Sequence, residues 1–285
     1  MKIAVASGKG GTGKTTVAVN LALSIGKVQL IDCDVEEPDC NLFLRSDIDK
    51  YQDVILPVPR VDGNKCIQCG KCVQFCQYNA LAVLSSGPML FPQLCHGCGG
   101  CMLICPENAI TEDERITGVI ERSRSDARID LWQGELFTGE PMASPVIRQL
   151  KTNIREGEGE VVIIDSPPGT ACPVIASLRD VDYCILVTEP TPFGLNDLML
   201  AVEVVRQMGI PFGVIINRNG MGYDGVEVYC NSGDIPVLMK IPDKRQIAVL
   251  YSEGIPFVMQ MTEWKGHFLK MFEDVCRQIL STKEN

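Results

Sequence analysis

Residues 8–15 read Gly8-Lys9-Gly10-Gly11-Thr12-Gly13-Lys14-Thr15, and this stretch decides the fold. It fits the phosphate-binding template G-x-x-x-x-G-K-[ST]. Ahead of it, Ile3-Ala4-Val5-Ala6 has the unbroken apolar character of a buried parallel strand, and Thr15 to Ile25 behind it reads as a helix. Strand, glycine-rich turn and helix in that order form the context in which such a loop holds a phosphate. Glycines let backbone N–H groups turn toward an anion, and the helix N-terminus adds a favourable dipole. Lys14 is then placed to reach β- and γ-phosphates, and Thr15 to ligate Mg²⁺. Candidate nucleotide contacts are Gly8, Lys9, Gly10, Gly11, Thr12, Gly13, Lys14, Thr15 and Thr16.

Working outward, Val28-Gln29-Leu30-Ile31-Asp32 reads as a second parallel strand that ends in the acidic run Asp32-Cys33-Asp34-Val35-Glu36-Glu37-Pro38-Asp39. Carboxylates at the carboxyl end of a strand lie where ligands bind in doubly wound sheets. Further on, Val161-Val162-Ile163-Ile164-Asp165 is another buried strand, closed by Ser166-Pro167-Pro168-Gly169. An acidic residue on such a rigid support can hold a magnesium-bound water. The α/β rhythm continues with a helix over 144–154, a strand at Tyr183–Val187, a helix at Leu195–Met208 and a strand at Phe212–Asn217.

The second lysine of the loop, Lys9, narrows the class. KGGTGKT resembles the deviant Walker A motif of the MinD/ParA/Mrp ATPases, the group that includes the nitrogenase iron protein. The resemblance implies ATP with Mg²⁺, a doubly wound and mostly parallel α/β sheet, and a nucleotide-sandwich homodimer or a heterodimer with a paralogous ATPase. It gives Lys9 a role across the dimer interface, at the phosphates of the other subunit. By the same resemblance Asp34 orients the attacking water, Asp32 lies near the magnesium shell, and Asp165 with Gly169 belongs to the second switch. Asn217-Arg218 and Ile241-Pro242-Asp243 resemble the family's adenine-contacting segments, so Asn217, Arg218, Pro242 and Asp243 join the nucleotide contacts.

Between these parts the composition changes abruptly. Cys66, Cys69, Cys72 and Cys76 follow C-x2-C-x2-C-x3-C, and Cys95, Cys98, Cys101 and Cys105 repeat it. This is the bacterial ferredoxin run, in which the fourth cysteine of each motif ligates the other cluster. One [4Fe–4S] cluster is therefore assigned to Cys66, Cys69, Cys72 and Cys105, and the second to Cys95, Cys98, Cys101 and Cys76. Zinc fits less well, because a third cysteine stands too close for separated pairs. The repeat extends past the cysteines, since Asn79-Ala80-Leu81 matches Asn108-Ala109-Ile110. Residues 60–115 are thus expected as an inserted α+β ferredoxin-type domain, with 1–58 and 116–285 forming the ATPase. Two charged, alternating strands between Ile116 and Gln133, one of them at Ala127–Leu131, would return the chain to it. His96, inside the second cysteine loop, is expected beside a cluster or on the surface. Cys172 follows Asp165 at the interval of a cluster-ligating cysteine in the nitrogenase iron protein, but without a second such cysteine it is expected as a packed residue or a contact beside the inserted clusters.

At 285 residues with 46% hydrophobic and 22% charged residues, the composition is that of a globular protein. A net charge of −10 argues against nucleic acid or an anionic membrane as main partner. No stretch approaches the roughly 20 apolar residues of a spanning helix. With its nucleotide-binding strand directly after Met1-Lys2 and eight of 14 cysteines in metal-type clusters, the chain reads as cytoplasmic. The terminal stretch Thr262–Leu280 places Trp264, Phe268, Met271, Phe272, Val275 and Ile279 near one face, as a docked helix rather than a basic membrane anchor. Three functions fit: an ATPase that gates electron transfer to a redox partner, an assembly factor delivering a metal cluster to a target protein, and a redox-sensing positioning ATPase.

Overall fold

The computed structural model describes residues 1–84, 87–123, 129–155, 157 and 159–283. Residues 127–128 of the anticipated returning strand lie outside them. The first half of the chain runs β1 (Lys2–Ala6), α1 (Lys14–Ile25), β2 (Val28–Asp32), α2 (Cys40–Leu44), β3 (Ile48–Val61), α3 (Lys71–Phe75), β4 (Leu81–Leu84), β5 (Gly87–Leu90) and α4 (Gly100–Leu103). It continues as β6 (Ile110–Ser123), β7 (Ile129–Leu136), α5 (Ala143–Lys151), β8 (Val162–Asp165), α6 (Cys172–Leu178), β9 (Tyr183–Thr188) and α7 (Pro192–Gln207). Then come β10 (Phe212–Asn219), α8 (Gly225–Ser232), β11 (Val237–Pro242), α9 (Arg245–Ser252) and α10 (Glu263–Lys283).

A nine-stranded sheet has the order β11-β10-β9-β1-β8-β2-β7-β6-β3. Every neighbouring pair from β11 to β7 is parallel, while β6 runs antiparallel to both β7 and β3. Alternation along β1 sets the two layers. Ile3 and Val5 face a core with α1 and α10, whereas Ala4 and Ala6 face one with α5, α7 and α8. Strands buried on both faces must be apolar throughout, which is why these runs are legible in sequence. Trp264, Phe268, Met271, Val275 and Ile279 of α10 are 8% exposed or less, so this helix spends its apolar face on the core.

The edge departs from expectation. Val54–Pro59 reads as a short strand, yet β3 spans 14 residues and pairs with β6 from Ile48↔Ser123 to Val61↔Ile110. Pro57, Pro59 and the polar start of β3 mask it in sequence, and they are tolerated because β3 is an edge strand. The ladder passes without a break through 58–60 and 112–116, and carries the segment from 62 to 109 at its tip. That segment folds around its cysteines. Val58, Ala80 and Cys95 form one small buried group, and Leu81, Cys101 and Ile110 another.

Candidate functional site

The phosphate loop leaves β1 and enters α1 through two left-handed glycines, Gly11 (φ 76°) and Gly13 (φ 95°). Gly13 is required on a second ground: a Cβ there would lie 2.4 Å from Nδ2 of Asn217. That amide donates to the Thr12 carbonyl at 2.8 Å, so the end of β10 holds the loop in shape. Gly8 lies equally close to the start of α7, where a Cβ would meet the Asp197 carbonyl. Ser7 Oγ donates to the Lys9 carbonyl at 2.6 Å.

Above the loop is a cavity of about 340 Å³. Gly10, Gly11, Gly13, Lys14, Thr15 and Thr16 line its floor, Asp34, Glu37 and Asp39 one side, and Pro168, Asn217, Arg218, Pro242 and Asp243 the other. Glu37 and Asp39 come from the acidic run after β2, whereas the wall from α9, with Ile247, Ala248 and Tyr251, was not singled out from sequence. No motif marks α9. Packing places it there: Leu250 and Ile247 lie on the core, and Tyr251 on Phe43, 5.3 Å between ring centres.

The acidic residues divide their tasks. Asp32 is fully buried and accepts backbone N–H bonds from Asp34, Asp39 and Cys40, each at 3.0 Å, so both its oxygens shape the following loop. Asp165, at the adjacent strand end, takes a hydrogen bond from the Thr15 side chain and keeps Oδ1 without a partner among the described residues. The Thr12 hydroxyl and the Ser166 hydroxyl are also buried and unpartnered. Such orphaned groups beside a glycine loop fit the oxygens of a phosphate and the water shell of Mg²⁺. Cys40 lies between Asp32 and Asp165, the three ligand atoms all within 4.8 Å, and its thiol donates to Asp165 at 3.7 Å. Burial raises the pKa of both carboxyls and of the thiol. Asp34, facing the cavity, is pushed up to about 7 by burial against the opposing pull of Lys14.

Lys9 does not line the cavity. Its Nζ lies 3.5 Å from Glu189, a residue 8% exposed that also pairs with Arg218. Gly169 (φ 94°) returns its N–H to the Ser7 carbonyl at 3.1 Å, tying the loop after β8 to the phosphate loop. Cys172 is exposed at the first position of α6.

The eight clustered cysteines separate into two cavities. Cys76, Cys95, Cys98 and Cys101 line one of about 230 Å³, together with Pro57, Val58 and Pro59 of β3. Cys66, Cys69, Cys72 and Cys105 line a narrower one of about 20 Å³, next to Val61. The fourth cysteine of each motif therefore stands with the other motif. The repeat is carried in the backbone: Gln68, Gly70 and Asn79 are left-handed, as are Gly97, Gly99 and Asn108 at the same offset. Ala80 donates its N–H to Cys76 Sγ at 3.4 Å, and Ala109 to Cys105 Sγ at 3.3 Å. No three cysteine sulfurs among the described residues lie within 4.8 Å of one another. A single zinc ion at about 2.3 Å from each thiolate requires sulfurs about 3.8 Å apart, so mononuclear zinc does not fit this spacing. His96 is exposed and stacks on Tyr78 at 3.6 Å.

A parallel sheet with an anion-binding loop at its switch point and acidic strand ends beside it defines a phosphate-loop nucleotide-binding protein. The chain belongs to the CobQ/CobB/MinD/ParA nucleotide binding domain family, which it matches over residues 3–257. It is 35% identical over 224 residues to an uncharacterised protein of Methanocaldococcus jannaschii, covering 78% of this chain and 79% of that one. It is 24% identical over 311 residues to the iron-sulfur cluster carrier protein of Pyrococcus horikoshii, covering 99% and 88%. Among solved structures it resembles the septum site-determining protein MinD with Mg-ADP from Pyrococcus horikoshii (TM-score 0.59, 22% identity, 96% and 95% covered), a likeness of fold.

Proposed function

We propose that this chain is an ATP-hydrolysing iron–sulfur protein that couples nucleotide-driven rearrangement of a dimer to electron transfer through two [4Fe–4S] clusters. The single observation carrying this reading is the sorting of eight cysteines into two cavities on a β-ladder continuous with the nucleotide-binding sheet. No three cysteine sulfurs among the described residues lie within 4.8 Å of one another, which speaks against one zinc per quartet, and the Cys76 quartet has the roomier cavity. Bound clusters would supply one-electron storage at potentials tuned by hydrogen bonds to sulfur and by exposure.

The chain's own residues then act as follows. Backbone N–H groups of residues 10–15 and the Lys14 ammonium hold the phosphates, while Thr15 and Asp165 hold Mg²⁺, directly or through water. Asp34 orients the attacking water and accepts its proton as ATP and water become ADP and phosphate. Lys9 leaves Glu189 for the phosphates of a second subunit as the dimer closes. The eight cysteines would hold the groups through which an electron could pass from a low-potential carrier protein to a metallocentre on the target.

A second reading, delivery of a metal cluster to a target protein, is favoured by relatives named iron-sulfur cluster carrier protein. The test is an EPR-monitored redox titration of anaerobic protein without nucleotide, with Mg-ADP and with a non-hydrolysed ATP analogue. A nucleotide-dependent change in potential supports coupled electron transfer. Unchanged potentials, combined with transfer of iron to an apoprotein, overturn it in favour of delivery.

A further inference from the structure

The helix α5 touches Val35, next to Asp34, and the end of α6, and also the arm that carries the cysteines. Its inner face, with Val146 and Leu150, lies on β6 and β7, where Gly118 and Gly134 let it approach. A Cβ at Gly134 would stand 2.9 Å from methyl groups of both Val146 and Val35. Val35 is the neighbour of Asp34, and its carbonyl accepts from Leu136 N–H at 2.8 Å. At the end of α5, Lys151 donates to the carbonyls of Ala176 (3.3 Å), Ser177 (2.7 Å) and Arg179, capping α6, the helix that follows Gly169. Burial, with the neighbouring charges of Lys2 and Arg179, lowers the pKa of this lysine, yet it gives all its donors to one helix end.

The other end of the chain of contacts is Gln149. Its amide meets the backbone of Ile55 twice, Nε2 donating to the carbonyl at 2.7 Å and Oε1 accepting the N–H at 3.3 Å. This is the point at which the β3–β6 register shifts, between Val54 and Ile55. The next residues, Leu56 and Pro57, press on Gly97, where a Cβ would lie 2.8 Å from Leu56 Cδ1 and 3.0 Å from the Pro57 carbonyl. Gly97 in turn donates its N–H to Cys95 Sγ at 3.5 Å. At the equivalent place in the first repeat stands Gln68, and the cavity of Cys66, Cys69, Cys72 and Cys105 meets β3 only at Val61.

We propose that α5 transmits the nucleotide state to the quartet Cys76, Cys95, Cys98 and Cys101 alone, with Gln149 and Lys151 as positioning residues acting through Ile55 and Gly97. This rests on the coupled reading above. Movement of either switch segment displaces α5 as a rigid element, because its inner face is packed without slack. The displacement reaches the Gly97 N–H, and a hydrogen bond to a ligating sulfur is one of the terms that set a cluster's potential. The quartet of Cys66, Cys69, Cys72 and Cys105 keeps its potential.

The experiment is a redox titration by EPR, with and without the Mg-bound ATP analogue, on full-length protein. Wild type is compared with Gln149→Leu, Lys151→Met, Lys151→Arg, Cys69→Ser and Cys98→Ser. Amide hydrogen exchange at 53–58 and 95–99 is followed in the wild type. Expected are a nucleotide-dependent shift that survives Cys69→Ser, is lost in Cys98→Ser, Gln149→Leu and Lys151→Met, and is retained in Lys151→Arg, with altered exchange in both segments. A shift that persists in Gln149→Leu, or that survives Cys98→Ser, overturns the α5 route while leaving nucleotide-coupled electron transfer standing. No shift in the wild type overturns both. Should Gln149→Leu fail to fold, the Lys151 pair and the wild-type exchange decide, and unchanged exchange at 95–99 counts against the route.

Discussion

Lys14 and Gly13 show how little of the phosphate loop is free to vary. Lys14→Ala removes the one buried cation of the loop, 6% exposed, while touching nothing near the cysteines. It should abolish nucleotide-dependent dimerisation and leave iron content unchanged, as measured by isothermal titration, sedimentation and iron analysis. Gly13→Ala faces a left-handed backbone, costing about 1–2 kcal/mol, and the Asn217 amide at 2.4 Å. Nucleotide affinity should fall at least about tenfold by titration, since 1.4 kcal/mol is one decade. Conversely, Cys66→Ser should diminish the EPR signal of one cluster and leave ATP affinity as it was. At this scale sequence reading was strong for contiguous motifs and weak for residues joined only in space. Glu189 has no motif around it, yet it holds both Lys9 and Arg218.

Among the elements, α10 and β3 stand at opposite extremes of legibility. The apolar spacing of α10 announces a docked helix, and the structure buries that face against α1 and the loop at Phe257. Phe268, 0% exposed, is the residue on which this docking turns. Phe268→Ala should lower stability by about 3–5 kcal/mol, read from denaturant unfolding, without changing the cluster spectra. The strand β3 hides because edge position, not propensity, decides its existence. Prolines and charges that exclude a central strand are harmless where one side of the ladder faces out. For the same reason α5 looks like any amphipathic helix in sequence, and its contacts with Ile55 and α6 come from chain distant in order.

For the whole molecule, the nucleotide-binding sheet and the cysteine segment differ in how they are held. The sheet has two extended apolar layers, whereas residues 62–109 have only small buried groups built around cysteines. Removal of iron under anaerobic conditions should therefore raise amide exchange across 62–109 and leave β1, β2 and β8 protected. The proposed closure of two copies makes a separate prediction. Lys9→Ala should still bind Mg-ADP but remain a monomer with the ATP analogue in sedimentation velocity, because its place in one copy is beside Glu189 and away from the cavity. Among the described residues no helix is long and apolar enough to cross a membrane.

The sequence by itself determined the parallel sheet, the phosphate loop and the doubled cysteine spacing. Each of these is local, written in a few neighbouring residues whose periodicity or spacing leaves little choice of geometry. Tertiary structure alone decided that Asp32 serves the backbone while Asp165 faces Thr15, and that α5 meets Val35, the end of α6 and Ile55. These outcomes depend on the register of β3 against β6 and on close packing at glycines 97, 118 and 134. Such contacts join residues far apart in the chain, and only the closed ladder brings them within reach.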